Sequence, residues 1–280
     1  MKLKDLVKKY YDLAKTHNKE VNDIKLLFLE ILGVNNTSFY LNMENIISED
    51  IIRKIDDAVK MYLEGKPIAY ILGYKYFYKD KFCVNENVLI PRNETEELVD
   101  LIIKDVKKLK ITPTIIDIGC GSGVIGLTLA KYLENSKVYL SDISIDALNV
   151  TRINAKNLNV DVTLLQGDML EPIIKEGIKA NIIVSNPPYI DVNEEVDESV
   201  LKYEPHLALF AKNNGLEFYE KILKEAYKVV EDEGLIYFEI GYRQKEGIEA
   251  LIKKYLPNSI YEVIQDIYKN NRMVKIKYKV

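Results

Sequence analysis

The chain has 280 residues, of which 48% are hydrophobic and 29% charged, the make-up of a globular protein long enough for more than one domain. Its formal net charge is −4 and its pI about 5.5, which excludes a globally basic surface for nucleic acid or anionic membrane and leaves only a local patch open to that role. Two cysteines, Cys83 and Cys120, and two histidines, His17 and His206, with no CxxC pair, exclude a disulfide framework and argue against a structural metal site.

The first residues, "MKLKDLVKKYYDLAK", carry charges throughout and lack the apolar core of a signal peptide. No stretch is apolar over the roughly 18 residues a membrane span requires. "TIIDIGCGSGVIGLTLA" comes nearest, but it holds an aspartate and four glycines. These features predict a cytoplasmic protein with no membrane partner.

Residues 1–74 read as helical. Leu3, Leu6, Val7, Tyr10, Leu13 and Ala14 recur on one helical face. "VNDIKLLFLEILG" repeats the pattern and stops at Gly33, a C-cap candidate, and Ser48 can cap a third helix that ends at Gly65. The simplest meaning of three such stripes is the core of a small helical bundle. Residues 76–90, "YFYKDKFCVNENVLI", are aromatic and β-branched with polar breaks at "KD" and "NEN", which predicts a hairpin linking two domains. The expected division is a helical domain at 1–74, a linking hairpin at 75–90 and a third part at 91–280.

From Glu94 the texture changes. The helical pattern "ETEELVDLIIKDVKKLK" precedes the strand "TIIDIG", and strands then alternate with helices through "KVYLSDI", "DVTLLQGD", "ANIIVSN" and "GLIYFEIG". Such alternation implies parallel pairing with right-handed crossovers. The last two strands, "IYEVIQDI" and "MVKIKYKV", are joined by a short polar turn and must pair antiparallel. The expected fold class is α/β: a seven-stranded, mostly parallel sheet with a C-terminal antiparallel hairpin, preceded by a small all-α domain.

"IIDIGCGSGVIG" sets Asp117, Ile118, Gly119, Cys120, Gly121 and Gly123 between a strand and a helix, where glycines let a ligand approach the backbone. Gly121, Gly123 and Gly126 also satisfy G-x-G-x-x-G, so a dinucleotide must be weighed. A dinucleotide lays an anionic pyrophosphate on the helix N-terminus, and an aspartate aimed there would repel it. S-adenosylmethionine presents an ammonium and a sulfonium, and Asp117 suits those cations. Asp142, followed by Ile143, can accept hydrogen bonds from a ribose diol. Asp168 can accept an adenine amino group, with Met169 packed on the ring. Alternatively the three aspartates merely cap the helices that follow.

"NPPY", Asn186 to Tyr189, ends the next strand and faces the same crevice. Pro187 and Pro188 lack N–H donors and fix φ, so the carbonyls there, that of Pro187 above all, are free and rigidly aimed. With the Asn186 side-chain oxygen they can hold both hydrogens of a planar NH2 group, orient it and stabilise positive charge as the nitrogen attacks. Tyr189 can stack on the planar group. The Asn186 NH2 is expected to touch the cofactor's carboxylate. The plainer alternative is that the prolines only stop a strand.

Several segments together resemble the release factor glutamine methyltransferases, the HemK or PrmC family. They are "KPIAYILGYKYFY", "LIPRNETEELV" with Asn93 where the family usually has proline, "DIGCGSG", "SDIS", "VSNPPYI", "YEPHLALFAKNNGLEFYEKI", "FEIGYRQ" and "DIYKNNR". The family more often has glycine around residue 269. The resemblance implies a class I methyltransferase fold. It also implies S-adenosylmethionine-dependent methylation of the amide nitrogen of glutamine in the Gly-Gly-Gln loop of class I peptide chain release factors, bacterial or organellar. By the same resemblance the helical domain helps hold the release factor. The expected state is a monomer without stable nucleic-acid binding. Two competing readings are an adenine-N6 methyltransferase, which shares the "NPPY" chemistry, and a non-catalytic nucleotide-binding scaffold.

Overall fold

The computed structural model describes residues 1–109 and 111–280. Contacts divide the chain into two compact units, Met1–Tyr74 and Lys75–Val280.

The first unit is helical: α1 (Leu3–Thr16), α2 (Val21–Leu32), α3 (Asn36–Leu41), α4 (Glu49–Leu63) and α5 (Ile68–Leu72). The stripe read from the first helix is buried at Leu3, Leu6, Val7, Tyr10 and Ala14, against Ile24, Leu27 and Phe28 of α2 and Ile55 and Val59 of α4. Gly33 ends α2 in the left-handed region at φ 64°, and the Ser48 hydroxyl accepts the Ile51 amide at the start of α4. The short α3, capped by Asn35, and α5 were not expected. Helices of five or six residues are too short to display a 3.6-residue period.

The predicted hairpin is shorter than expected: β1 (Tyr74–Phe77) pairs with β2 (Asp80–Cys83). Beyond Cys83 the Asn85 side chain and carbonyl accept the amides of Asn87 and Val88, so residues 84–90 turn instead of extending the strand.

The remainder builds α6 (Glu94–Leu109), β3 (Thr114–Ile118), α7 (Val124–Tyr132), β4 (Lys137–Asp142), α8 (Ile145–Leu158), β5 (Thr163–Gln166), α9 (Glu171–Lys175) and β6 (Ala180–Ser185). There follow β7 (Ile190–Asp191), α10 (Glu198–Tyr203), β8 (Phe210–Ala211), α11 (Glu217–Glu225), β9 (Val230–Glu239), α12 (Lys245–Tyr255), β10 (Ile260–Gln265) and β11 (Asn271–Lys277). Seven strands form one sheet in the order β10-β11-β9-β6-β3-β4-β5, all parallel except β11, which runs antiparallel to both its neighbours.

Alternation along the strands separates two apolar layers. Ile115, Val138, Leu140, Ile182 and Val184 face α6, α7 and α8. Ile116, Ile118, Tyr139, Ile183, Ile236 and Phe238 face α9, α11 and α12. Burying one such side chain contributes roughly 1.5–3 kcal/mol, which is why the central strands read as unbroken apolar runs. The order reverses beside β3: β4 and β5 lie on one side, β6 and β9 on the other. Loops diverge at such a point and leave a crevice at the carboxyl ends of the strands. Among the described residues no helix is long and apolar enough to cross a membrane.

Candidate active site

That crevice holds a cavity of about 230 Å³. Its floor is the loop after β3. Gly119 and Gly121 have φ of 67° and 55°, and a Cβ built on either meets nothing within 4 Å, so the space above the loop is open to a ligand. The loop is pinned from beneath: the amides of Gly119 and Cys120 both donate to the Ser141 carbonyl, and the Gly121 carbonyl accepts from the Thr151 hydroxyl. Gly123, at φ 81°, does not line the cavity; its amide donates to the Cys120 carbonyl and starts α7.

The three aspartates divide in role. Asp117 lies behind the loop, 1% exposed, and does not line the cavity. Its Oδ2 accepts the Gly126 amide at 2.8 Å, so it does cap α7, while Oδ1 is buried without a partner. Burial, helped by the negative charge of Asp142 and opposed by the Gly126 bond, pushes Asp117 up to about 7. Asp142 lines the cavity with Ile143 and accepts the amides of Gly121 and Ser144 at 2.9 Å each. Burial raises its carboxyl too, against those bonds. Neither aspartate forms an ion pair among the described residues. Two half-buried or buried carboxylates without a protein cation suit a cationic ligand and disfavour a pyrophosphate, so the residues present fit S-adenosylmethionine. Asp168 and Met169 also line the cavity. Asp168 pairs with Lys221 at 3.4 Å, and Met169 is held at φ 47°, a conformation that a non-glycine residue keeps only where the surroundings enforce it. Ile118 is fully buried in the sheet, its carbonyl taken by the Ser185 hydroxyl.

From "NPPY", Asn186 and Pro188 line the cavity; Pro187 and Tyr189 do not. No protein donor reaches the Pro187 carbonyl among the described residues. Tyr189 packs partly on the second apolar layer, and burial lifts its hydroxyl to about 12. The Tyr189 carbonyl accepts from Gln244 Nε2 at 3.0 Å, which braces the end of the motif. The Asn186 Nδ2 lies 3.4 Å from Thr95 Oγ1. The nitrogen is therefore engaged by the protein, and the oxygen is the side left for a substrate.

Several contributors had no assigned role in the sequence reading. Arg92 lines the cavity and pairs at 2.7 Å with Glu204, a buried carboxylate that also accepts the Ile90 amide. This joins the segment before α6 to the segment after α10. Leu207, Ala208 and Phe218 add an apolar wall. Glu239 ends β9 beside Asn186. Its signal was present: an acid closing an apolar strand, as in Asp142. The partners of Arg92 and Gln244 lie across long sequence separations and left no local mark.

Comparison with known proteins places this geometry. Residues 92–203 match the methyltransferase small domain family, and residues 6–73 match the PrmC N-terminal domain. The release factor glutamine methyltransferase of Staphylococcus aureus is 40% identical over 254 residues, covering 90% of each chain. That of Bacillus subtilis is 38% identical over 91% of each. The 16S rRNA N2 G1207 methyltransferase of T. thermophilus shares the fold, with a TM-score of 0.53 at 13% identity over 74% of this chain and 50% of that one. By its sequence over nearly its whole length, the chain belongs to the release factor glutamine methyltransferase family.

Proposed function

We propose that this protein methylates the side-chain amide nitrogen of the glutamine in the Gly-Gly-Gln loop of a class I release factor. When bound, S-adenosylmethionine supplies an electrophilic methyl group on its sulfonium. Asp142 holds the ribose diol, Asp168 the adenine amino group, and Met169 packs against the ring. The charge of Asp117 behind the glycine loop favours the cationic methionine end. The Asn186 oxygen and the Pro187 carbonyl accept the two hydrogens of the substrate amide. An amide nitrogen is a poor nucleophile because its lone pair is delocalised. Two fixed acceptors orient it and stabilise the positive charge that develops on attack, without reorganisation during the reaction. The N–C bond forms as the S–C bond of the donor breaks, leaving S-adenosylhomocysteine, and the surplus proton of the methylated amide passes to water; Asn186 is not its base, since an amide does not take a proton near neutral pH.

The observation that carries this reading is the free oxygen side of Asn186 at the edge of the acidic cavity, with its nitrogen side already engaged. The helical unit, by this reading, supplies remote contacts to the release factor. The test is to offer the protein labelled methyl donor with either a release factor or duplex DNA. Label on the release factor supports the reading. Label on DNA replaces it with adenine methylation.

A further inference from the structure

Glu239 stands at the same carboxyl edge as Asn186, at the end of the neighbouring strand, and the proposed reaction gives it no role. It is 1% exposed, and its Oε2 accepts the Thr95 hydroxyl proton at 2.6 Å. Thr95 is 3% exposed, lines the cavity, and lies 3.4 Å from Asn186 Nδ2. A hydroxyl has one proton, and an ionised carboxylate only accepts. Thr95 must therefore direct its proton at Glu239 and can offer Asn186 only a lone pair. The Asn186 amide answers with its NH2 edge. The donor count thus fixes which way the amide faces.

We propose that Glu239 is a positioning residue for methyl transfer: acting with Thr95, it locks the Asn186 amide so that Oδ1 faces the substrate nitrogen. This rests on the amide-methylation reading. The direction of the chain depends on charge. A protonated Glu239 donates to Thr95, whose own proton is then free to point at Asn186. The amide turns over and sets an NH2 against the substrate's NH2, donor against donor. The groups facing Glu239 are Arg272 of β11, which holds it ionised, Glu94 of α6, which opposes that, and the neutral hydroxyls of Tyr189 and Tyr219. Burial outweighs the rest and lifts the carboxyl to about 7, so the switch falls near neutrality.

Two independent readouts test this in the full-length protein. First, the Asn186 side-chain NH2 resonances in nitrogen-15 spectra, assigned by their loss in Asn186→Ala, should shift with pH with a midpoint near 7. Thr95→Val, which keeps shape and removes the hydroxyl, should change that titration, and Glu239→Gln should abolish it. Second, single-turnover methyl transfer at saturating cofactor should fall at least about tenfold in Thr95→Val and Glu239→Gln, while Thr95→Ser stays within about threefold of wild type. The acid limb of the wild-type pH profile assigned to Glu239 should vanish in Glu239→Gln. If the wild type methylates release factor and both variants match it with an unchanged pH profile, the inference is wrong and the functional reading survives. If the wild type does not methylate release factor, the functional reading fails and the NMR titration alone decides. Should either variant fail to fold, a wild-type Asn186 resonance that does not titrate overturns the proposal.

Discussion

Replacing Asp117 with asparagine removes a buried charge while keeping an acceptor for the Gly126 amide, 2.8 Å away. Alanine would lose both, so asparagine separates the cap from the charge. Burial lifts the Asp117 carboxyl to about 7. A cationic ligand group calls for the ionised form, so in the free protein binding competes with protonation. With titration near 7 the ionised fraction is roughly 0.9 at pH 8 and roughly 0.1 at pH 6. The affinity for S-adenosylhomocysteine, whose ammonium is retained, should therefore drop by about tenfold over that span. Asp117→Asn should weaken binding at least about tenfold at pH 8, the scale of one charged interaction, and should reduce the pH response. Stability runs the other way. A carboxyl raised in the folded state contributes most below its unfolded value of about 4, and that contribution is lost as pH rises through about 7. The ligand-free variant should accordingly show a smaller difference in Tm between pH 5 and pH 8 than the wild type. Isothermal calorimetry at pH 6, 7 and 8 measures the first effect, and thermal melts the second. Wild-type affinity in Asp117→Asn with the same pH response would refute the reasoning.

Gly215→Ala should cripple methyl transfer with modest loss of cofactor binding, because at φ 77° its Cβ would sit 2.0 Å from the Tyr189 carbonyl oxygen and 2.3 Å from Gln244 Nε2; a wild-type rate in single turnover would argue against a braced motif. Lys269, in the turn where the family more often has glycine, is held at φ 67°; Lys269→Gly should raise stability by about 1 kcal/mol, a Tm gain of roughly 2–4 °C, by relieving the left-handed strain. Deleting residues 1–65 should impair methylation of an intact release factor more than of a short Gly-Gly-Gln peptide, since remote contacts supply positioning; equal losses in kcat/KM on both substrates would remove the docking role.

The sheet and its acidic edge were legible because each central strand is buried on both faces and must read as an apolar run, so a polar residue closing it stands out. Asp142 and Asn186 stand out that way, whereas Asp168 follows the partly buried edge strand β5 and is marked only by its place after a strand. Asp117 was found too, but its place behind the loop depends on how α7 begins, with Gly126 donating to it. The hairpin was overextended because residues 84–90 are rich in β-formers, whereas a single Asn85 turn decides their course. The pairs β7–β8 and helices such as α5 are too short for periodicity to register. The least legible feature is the contact of Thr95 with Glu239 across 144 positions. It follows from the packing of the start of α6 against the end of β9, and not from any local pattern.

The central claim is that Asn186 holds the amide being methylated, and the most direct measurement is single-turnover transfer of labelled methyl to a release factor at saturating cofactor, with the modified residue located by mass spectrometry. The account predicts label on the side-chain nitrogen of the Gly-Gly-Gln glutamine in the wild type. It predicts a rate lower by about 10²-fold or more in Asn186→Ala, the usual loss of one preorganised hydrogen bond, with circular dichroism unchanged. Asn186→Asp, which keeps an acceptor, should retain more turnover than alanine, provided the cofactor still binds. Label at another residue, or a near wild-type rate in Asn186→Ala, would contradict it and leave the proline pair as a strand stop.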